Sequence, residues 1–172
     1  PLTVWQTGSG TQTNMNLNEV IANRANEILG EKLGNNNPIH PNDHCNLGQS
    51  SNDSFPTAMN IAIILEINKN LIPTIKSLSK ALSIKEKDFS TIVKIGRTHL
   101  QAAVPLTLGQ EFGAFKVQID NALDRIQNSS KELFSLAQGA TAVGSGLNSS
   151  TVFVKGFIKA IQSITDLPFK SA

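Results

Sequence analysis

The sequence predicts an all-α fold: a bundle of long helices, incomplete in this chain, with irregular functional loops between them. Three observations predict it. Hydrophobic residues make up 40% of the 172 residues, enough for one ordinary domain with a real core. Two long segments repeat apolar residues at spacings of three and four, the pattern that packs helices almost parallel. A pair of such helices cannot bury both stripes alone, so each also packs against helices absent from this chain or supplied by other subunits.

The first helix follows Asn16, an N-cap with Glu19 at the capping-box position. Leu17, Val20, Ile21, Ala25 and Ile28 share a face, and Gly30 is a fitting stop. The second begins near Asp53 or Ser54, with Pro56 tolerated in its first turn. Ile61, Ile64, Asn68, Leu71, Ile75, Leu78 and Leu82 carry its repeat. The run to about Lys87 measures roughly 50 Å as a helix, and Pro73 inside it bends the axis. Next comes a stretch of roughly twenty residues without regular structure, which in a compact domain is usually functional or disordered. The third helix opens at Thr107 with Gln110 at the capping-box position. Leu108, Phe112, Phe115, Ile119, Ala122, Ile126, Ser129, Leu133 and Leu136 keep the repeat for about thirty residues. Residues 139–146 form a glycine-rich turn, and residues 152–164 a weaker helix ended by Asp166-Leu167-Pro168.

Charge and cysteine content exclude several classes. Fifteen basic and thirteen acidic residues give +2, too even for a nucleic-acid or anionic-membrane partner. The single cysteine, Cys45, has no internal partner for a disulfide, which fits a reducing compartment. No apolar run reaches the length of a membrane span and no secretory signal is visible. The expected location is cytoplasmic, or the mitochondrial matrix in a eukaryote. The start at Pro1, directly in motif-rich sequence, reads as an excised fragment or processed product.

Four polar clusters lie outside the apolar stripes. Gly8-Ser9-Gly10-Thr11-Gln12-Thr13-Asn14-Met15-Asn16 supplies small residues and neutral donors beside a helix start, suited to a carboxylate or phosphate, although such runs are usually plain loops. His40-Pro41-Asn42-Asp43-His44-Cys45-Asn46 has metal-ligand residue types, but at a spacing wrong for zinc and with no second pair; it reads as a polar, anion-facing turn. Gln49-Ser50-Ser51-Asn52-Asp53 places hydroxyl and amide donors at a positive helix N-terminus, or is an over-rich cap. Gly96-Arg97-Thr98-His99-Leu100-Gln101 holds an imidazole, a natural proton-transfer group near neutral pH. No Ser-His-Asp arrangement or nucleophile elbow is legible. Donors without metal, cofactor or covalent nucleophile favour proton transfer on a bound small anion.

Taken together, the clusters resemble class II fumarate hydratase of the fumarase/aspartase superfamily. The matching runs are Trp5-Gln6-Thr7-Gly8-Ser9-Gly10-Thr11-Gln12, Asn14-Met15-Asn16, His40-Pro41-Asn42-Asp43, Ser50-Ser51-Asn52-Asp53, Gly96-Arg97-Thr98-His99-Leu100-Gln101 and Pro105-Leu106-Thr107-Leu108-Gly109-Gln110-Glu111. Aspartases carry Thr-Gln in place of Thr98-His99 and Ser-Thr-Asn in place of Ser50-Ser51-Asn52, so both positions are fumarase-like. The resemblance implies a fumarase/aspartase-type helical bundle and reversible addition of water to fumarate giving L-malate, with no cofactor and no metal. It implies that Ser9, Thr11, Ser50, Ser51, Asn52 and Thr98 hold the substrate carboxylates and that His99 acts in proton transfer. It implies a second, non-catalytic dicarboxylate site at His40, Asn42 and Asp43. Residues 1–52 would be the end of an N-terminal domain with substrate-facing loops, and residues 53–172 part of a central helical-bundle domain.

The family's chains are much longer, and they build each active site from segments of three subunits in a homotetramer. A downstream loop Gly-Ser-Ser-x-Met-Pro-x-Lys-x-Asn, whose serine is thought to remove the C3 proton, has no match in this sequence; neither has the acidic partner that orients His99. Ala102 stands where Asp is usual, Asn37 replaces an Arg before the second-site His, and Ser149-Ser150 replaces Thr-His. Asn37 puts the second site in doubt and Ala102 weakens the loop's hydrogen bonding. The alternatives are an inactive truncated paralogue acting as a helical assembly module, or another superfamily lyase such as aspartase or argininosuccinate lyase.

Overall fold

The computed structural model describes Thr3, Trp5 and residues 8–172; Gln6 and Thr7 of the first matching run lie outside the described residues. In chain order the elements are α1 (Gly10–Ile28), a π-helical turn (Pro41–Cys45), α2 (Ser51–Glu66), a second π turn (Ile67–Leu71) and α3 (Ile72–Asp88). Then come β1 (Val93–Thr98), β2 (Gln101–Thr107), α4 (Leu108–Ser129), a 3₁₀ turn (Ser130–Phe134), β3 (Ser135–Leu136), α5 (Thr151–Thr165) and β4 (Lys170–Ser171). The helical fold expected from the sequence is the one observed. Among the described residues no helix is long and apolar enough to cross a membrane. The chain divides into two compact units: Pro1–Ile63 with Leu133–Ala172, and Ile64–Glu132.

In the first unit α1 begins at Gly10, with Ser9 as its N-cap, rather than after Asn16. Its end is the one expected. Gly30 takes φ +86°, its N–H donates to Glu27 O at 3.0 Å, and Glu31 N–H donates to Asn26 O at 2.9 Å. That is a Schellman closure, which a left-handed glycine makes easy. The buried face of α1 is not the apolar stripe. Leu17, Val20, Ile21 and Ile28 stay 55–70% exposed. Asn18, Ala22 and Asn26, four residues apart, are the buried ones. Asn26 earns that position by two bonds to one residue: its Nδ2 donates to Ile39 O at 2.9 Å and its Oδ1 accepts from Ile39 N–H at 2.8 Å. A buried amide bonded on both sides costs little, whereas an unbonded one costs about 1–3 kcal/mol.

α2 begins at Ser51, ahead of the Asp53 start the sequence suggests, so Pro56 falls in its second turn. α5 is capped by Ser150 Oγ, which accepts from Phe153 N–H at 3.1 Å, and it ends at Asp166, φ 54°. Phe134 and Phe169 pack with centroids 5.3 Å apart; Phe169 and Leu136 are fully buried beside the short parallel pair β3–β4.

In the second unit the Ile67–Leu71 π turn lies directly ahead of Pro73, where a bend is expected from the sequence, and Ile72 N–H reaches back to Ile67 O. α3 and α4 then run antiparallel. Ser79 donates to Asp120 at 2.5 Å at one point of contact, and Gly113 meets Glu86 and Gly109 meets Ser90 further along. Lys116 Nζ also bonds Asp120, at 2.7 Å. That bond, with the one from Ser79, holds the Asp120 carboxyl below the usual aspartate range, and it raises the Lys116 ammonium in turn. Phe89 and Phe112 meet edge-on at 5.3 Å. Leu71, Leu78 and Phe115 remain 42–48% exposed, so each stripe keeps an open edge, as two helices alone require.

α4 opens with the expected capping box: Gln110 Oε1 accepts from Thr107 N–H at 2.8 Å and Thr107 Oγ1 from Gln110 N–H at 3.1 Å. It ends at Ser129, where the chain tightens into a 3₁₀ turn, short of the predicted length. The stretch read as irregular is an antiparallel hairpin, β1 paired to β2 from Val93↔Thr107 to Thr98↔Gln101. Ala103 and Val104 bulge opposite Gly96, where a Cβ would stand 2.8 Å from Val104 O.

The α3–α4 approach predicts a mutational effect. A Cβ at Gly109 would lie 2.5 Å from Glu86 O and 2.9 Å from Ser90 Cα, both backbone atoms that yield poorly. Gly109→Ala should therefore destabilise by about 1–3 kcal/mol despite alanine's better helix propensity. A melting temperature at or above that of the unaltered protein would contradict this close approach.

Candidate functional site

The donor-rich turn at residues 50–52 is built by two reciprocal caps. Ser50 N–H donates to Asp53 Oδ1 at 2.9 Å, and Asn52 N–H donates to Ser50 Oγ at 3.2 Å. The result resembles a capping box with Asp in the role usually played by Glu or Gln, except that Ser50 Oγ takes the N–H of Asn52 and not that of Asp53. Ser51 Oγ in turn accepts from Asn14 Nδ2 at 3.1 Å. Both hydroxyls therefore accept hydrogen bonds from within the protein and keep their own O–H for an outside acceptor. Asn52 commits one amide hydrogen to Ala142 O at 2.8 Å and keeps the other. The N-terminal parts of α1 and α2 touch: a Cβ on Gly10 would sit 2.5 Å from Phe55 Cδ1. Ser9 and Thr11, at the start of α1, thus belong to the same region as Ser50, Ser51 and Asn52. Ser9 makes no side-chain cap bond, so its hydroxyl is uncommitted to the helix. Two helix N-termini lined with neutral donors favour an anion.

Behind this turn is a network that sequence reasoning missed. Asn46 Oδ1 accepts from Asn14 Nδ2 and Asn18 Nδ2, each at 3.1 Å, and from Gln49 Nε2 at 3.4 Å. The signal was present as asparagines at 14, 18 and 26, a helical spacing interrupted only by Ala22. Asp53, wholly buried, is the other missed residue. Its Oδ1 also accepts from Ser54 Oγ at 3.2 Å, while Oδ2 accepts from Gly139 N–H at 3.0 Å and Thr141 N–H at 2.8 Å. In front lies an open cavity of ≈ 280 Å³, lined among others by Asn46, Gln49, Ser50, Thr141, Ser145 and Asn148.

His40, Asn42 and Asp43 share the Pro41–Cys45 turn. His40 Nδ1 accepts from the N–H groups of Asn42 and Asp43, both at 3.2 Å. A nitrogen that accepts carries no proton, so Asp43 Oδ2 at 3.5 Å from it is a neighbour and not an ion-pair partner, and Nε2–H is the donor left to the ring. His44 Nδ1 is occupied by His40 N–H at 2.8 Å. Among the described residues no three of His, Cys, Asp and Glu converge as metal ligands.

Thr98 and His99 belong to the second unit, at the tip of its hairpin. His99 and Leu100 form the two-residue turn with φ 48° and 64°, both left-handed. That is the primed turn that hairpins prefer, usually filled by Asn and Gly. Here it holds an imidazole and an exposed leucine, in a conformation uncommon and costly for non-glycine residues. Ala102 lies across from Arg97.

The chain has well-defined relatives. A family model described as lyase matches residues 1–172. A class II fumarate hydratase of Bradyrhizobium diazoefficiens is 60% identical over 172 residues, which are 100% of this chain and 36% of that protein. The mitochondrial fumarate hydratase of Rattus norvegicus is 55% identical over the same length, 34% of its own. The crystal structure of recombinant class II fumarase from Schistosoma mansoni matches with a TM-score of 0.88 at 47% identity, covering 96% of this chain and 35% of that one. The chain thus spans little more than a third of the relatives it matches.

The Asn46 hub sets a testable cost. Asn46→Ala leaves Asn14, Asn18 and Gln49 without their common acceptor, and Asn18 is 4% exposed. A loss of about 1–3 kcal/mol in denaturant unfolding is expected; a change within about 0.5 kcal/mol would mean water replaces the acceptor freely.

Proposed function

The chain belongs to the lyase family whose model it matches from end to end, and on that premise we propose that it is a segment of a class II fumarate hydratase. The proposed reaction is the reversible hydration of fumarate to L-malate. The observation that carries this reading is the 50–52 turn, whose hydroxyls accept hydrogen bonds from the protein and so have their own protons to give to an anion. In the dehydration direction a proton leaves C3 of malate, and the electron pair spreads into the adjacent carboxylate. Hydroxide then departs from C2 and takes up a proton as water. The intermediate has more negative charge than the substrate, and fixed neutral donors at that carboxylate favour it over the ground state.

In this reading Ser9, Thr11, Ser50, Ser51, Asn52 and Thr98 hold the two carboxylates, and His99 transfers the proton at the reacting water. The chemistry is redox-neutral and draws on no cofactor. His40, Asn42 and Asp43 form a second dicarboxylate site, with His40 Nε2–H as a donor. The complete enzyme is a homotetramer of the cytoplasm, or of the mitochondrial matrix in a eukaryote, and acts on small dicarboxylates without nucleic acid or membrane. Residues 1–52 close its N-terminal domain and residues 53–172 enter its central helical domain.

In the complete enzyme His99→Asn should lower kcat by about 10² or more with the tetramer intact. A variant within threefold of the unaltered enzyme removes His99 from the mechanism. The 172-residue chain by itself should not consume fumarate when its ultraviolet absorbance is followed. Turnover at ordinary enzyme rates would refute the need for the remaining segments.

A further inference from the structure

Asp53 is the one fully buried carboxylate among the described residues, and its bonds divide by oxygen. Oδ1 serves the donor turn, through Ser50 N–H at 2.9 Å and Ser54 Oγ at 3.2 Å. Oδ2 serves a loop far away in sequence, through Gly139 N–H at 3.0 Å and Thr141 N–H at 2.8 Å. Thr141 has φ 60°, a conformation rare for a β-branched residue, and its N–H ends on Asp53. A second tie runs the other way, from Asn52 Nδ2 to Ala142 O at 2.8 Å. The two segments so joined, Ser50 on one and residues 141–148 on the other, line the ≈ 280 Å³ cavity.

We propose that Asp53 is a positioning residue that locks the 50–52 donor turn to the 139–146 loop, so that the two segments form one rigid wall of the dicarboxylate subsite. The proposal rests on the reading of residues 50–52 as carboxylate donors. Asp53 itself touches no substrate; all its acceptor capacity faces the protein. The division between its oxygens gives the variant its meaning. Asn has one acceptor oxygen for these donors, so whichever way its amide turns, either the Ser50 N–H or the N–H groups of Gly139 and Thr141 lose their acceptor. Asp53→Asn therefore breaks the tie between the turn and the loop on one side or the other.

The test uses the complete tetrameric enzyme, with Asp53→Asn and Ser51→Ala measured in parallel. For Asp53→Asn the KM for fumarate and the inhibition constant of succinate, an unreactive dicarboxylate, should both rise about tenfold or more, the worth of a hydrogen bond to a charged group. The kcat should change by less than about threefold, because the proton-transfer group is elsewhere. If Ser51→Ala raises both constants and Asp53→Asn, as a folded tetramer, raises neither, the positioning role is wrong and Asp53 serves folding alone. If neither variant raises them, the carboxylate reading of residues 50–52 fails, and this inference with it. Should Asp53→Asn yield no tetramer, hydrogen exchange on the unaltered enzyme decides. Succinate should slow exchange across residues 139–142 as well as 50–54; protection confined to 50–54 overturns the coupling.

Discussion

A carboxylate removed from water must have its lone pairs filled, or the fold around it fails. Asp53 meets that requirement with four donors, three of them backbone N–H groups. Leaving a buried charge without partners costs several kcal/mol, so the donors and the acceptor select one another. The start of α2, the path of the 139–146 loop and the direction of the Ser50 backbone are all consequences of that one demand. Asn46 plays a smaller version of the same part for α1, since one carbonyl oxygen gathers amides from two turns of the helix and from Gln49. The first unit is thus organised by polar satisfaction around a thin apolar core of Ala22, Leu136 and Phe169. The second unit is organised the opposite way, by helices brought close at Gly109 and Gly113.

This difference explains what could be read in the sequence. Where a local bond pattern decides the structure, residue spacing revealed it: Thr107 with Gln110 opened α4 and Gly30 closed α1. Apolar periodicity was less informative. Leu17, Val20, Ile21 and Ile28 do share a face of α1, but periodicity records which residues are apolar and not what covers them. The buried stripe is polar because Asn18 and Asn26 have partners distant in sequence, which no local pattern contains. α2 starts ahead of the position its pattern suggests because Ser50 and Asp53 cap it with Asp at the returning position, a shorter side chain than the usual Glu or Gln.

The hairpin was illegible for a related reason. Two-residue turns announce themselves by Asn-Gly or a similar pair, and His99-Leu100 has neither residue. Pro105 and Gly96 further disguise the alternation of the strands, and the bulge opposite Gly96 shifts its phase. For the candidate site, the residue types were legible and their preparation was not. Ser50, Ser51 and Asn52 suggested donors, but only the structure shows that Asn14 and the backbone of Asn52 occupy the acceptor side of the two hydroxyls. Asp53 read as an end-cap and is a tie between segments 86 and 88 residues apart.

The two-residue tip of the hairpin also makes its length a discrete quantity. A strand's side chains alternate with a period of two, so a residue added or removed between Thr98 and Gln101 must either be taken up at the tip as a different turn with its own bulge or slip the pairing, which exchanges the faces of one strand. The change could not be absorbed gradually, as it can in a floppy loop. Substitutions at the tip act locally, whereas an insertion forces either a new turn type or a new register.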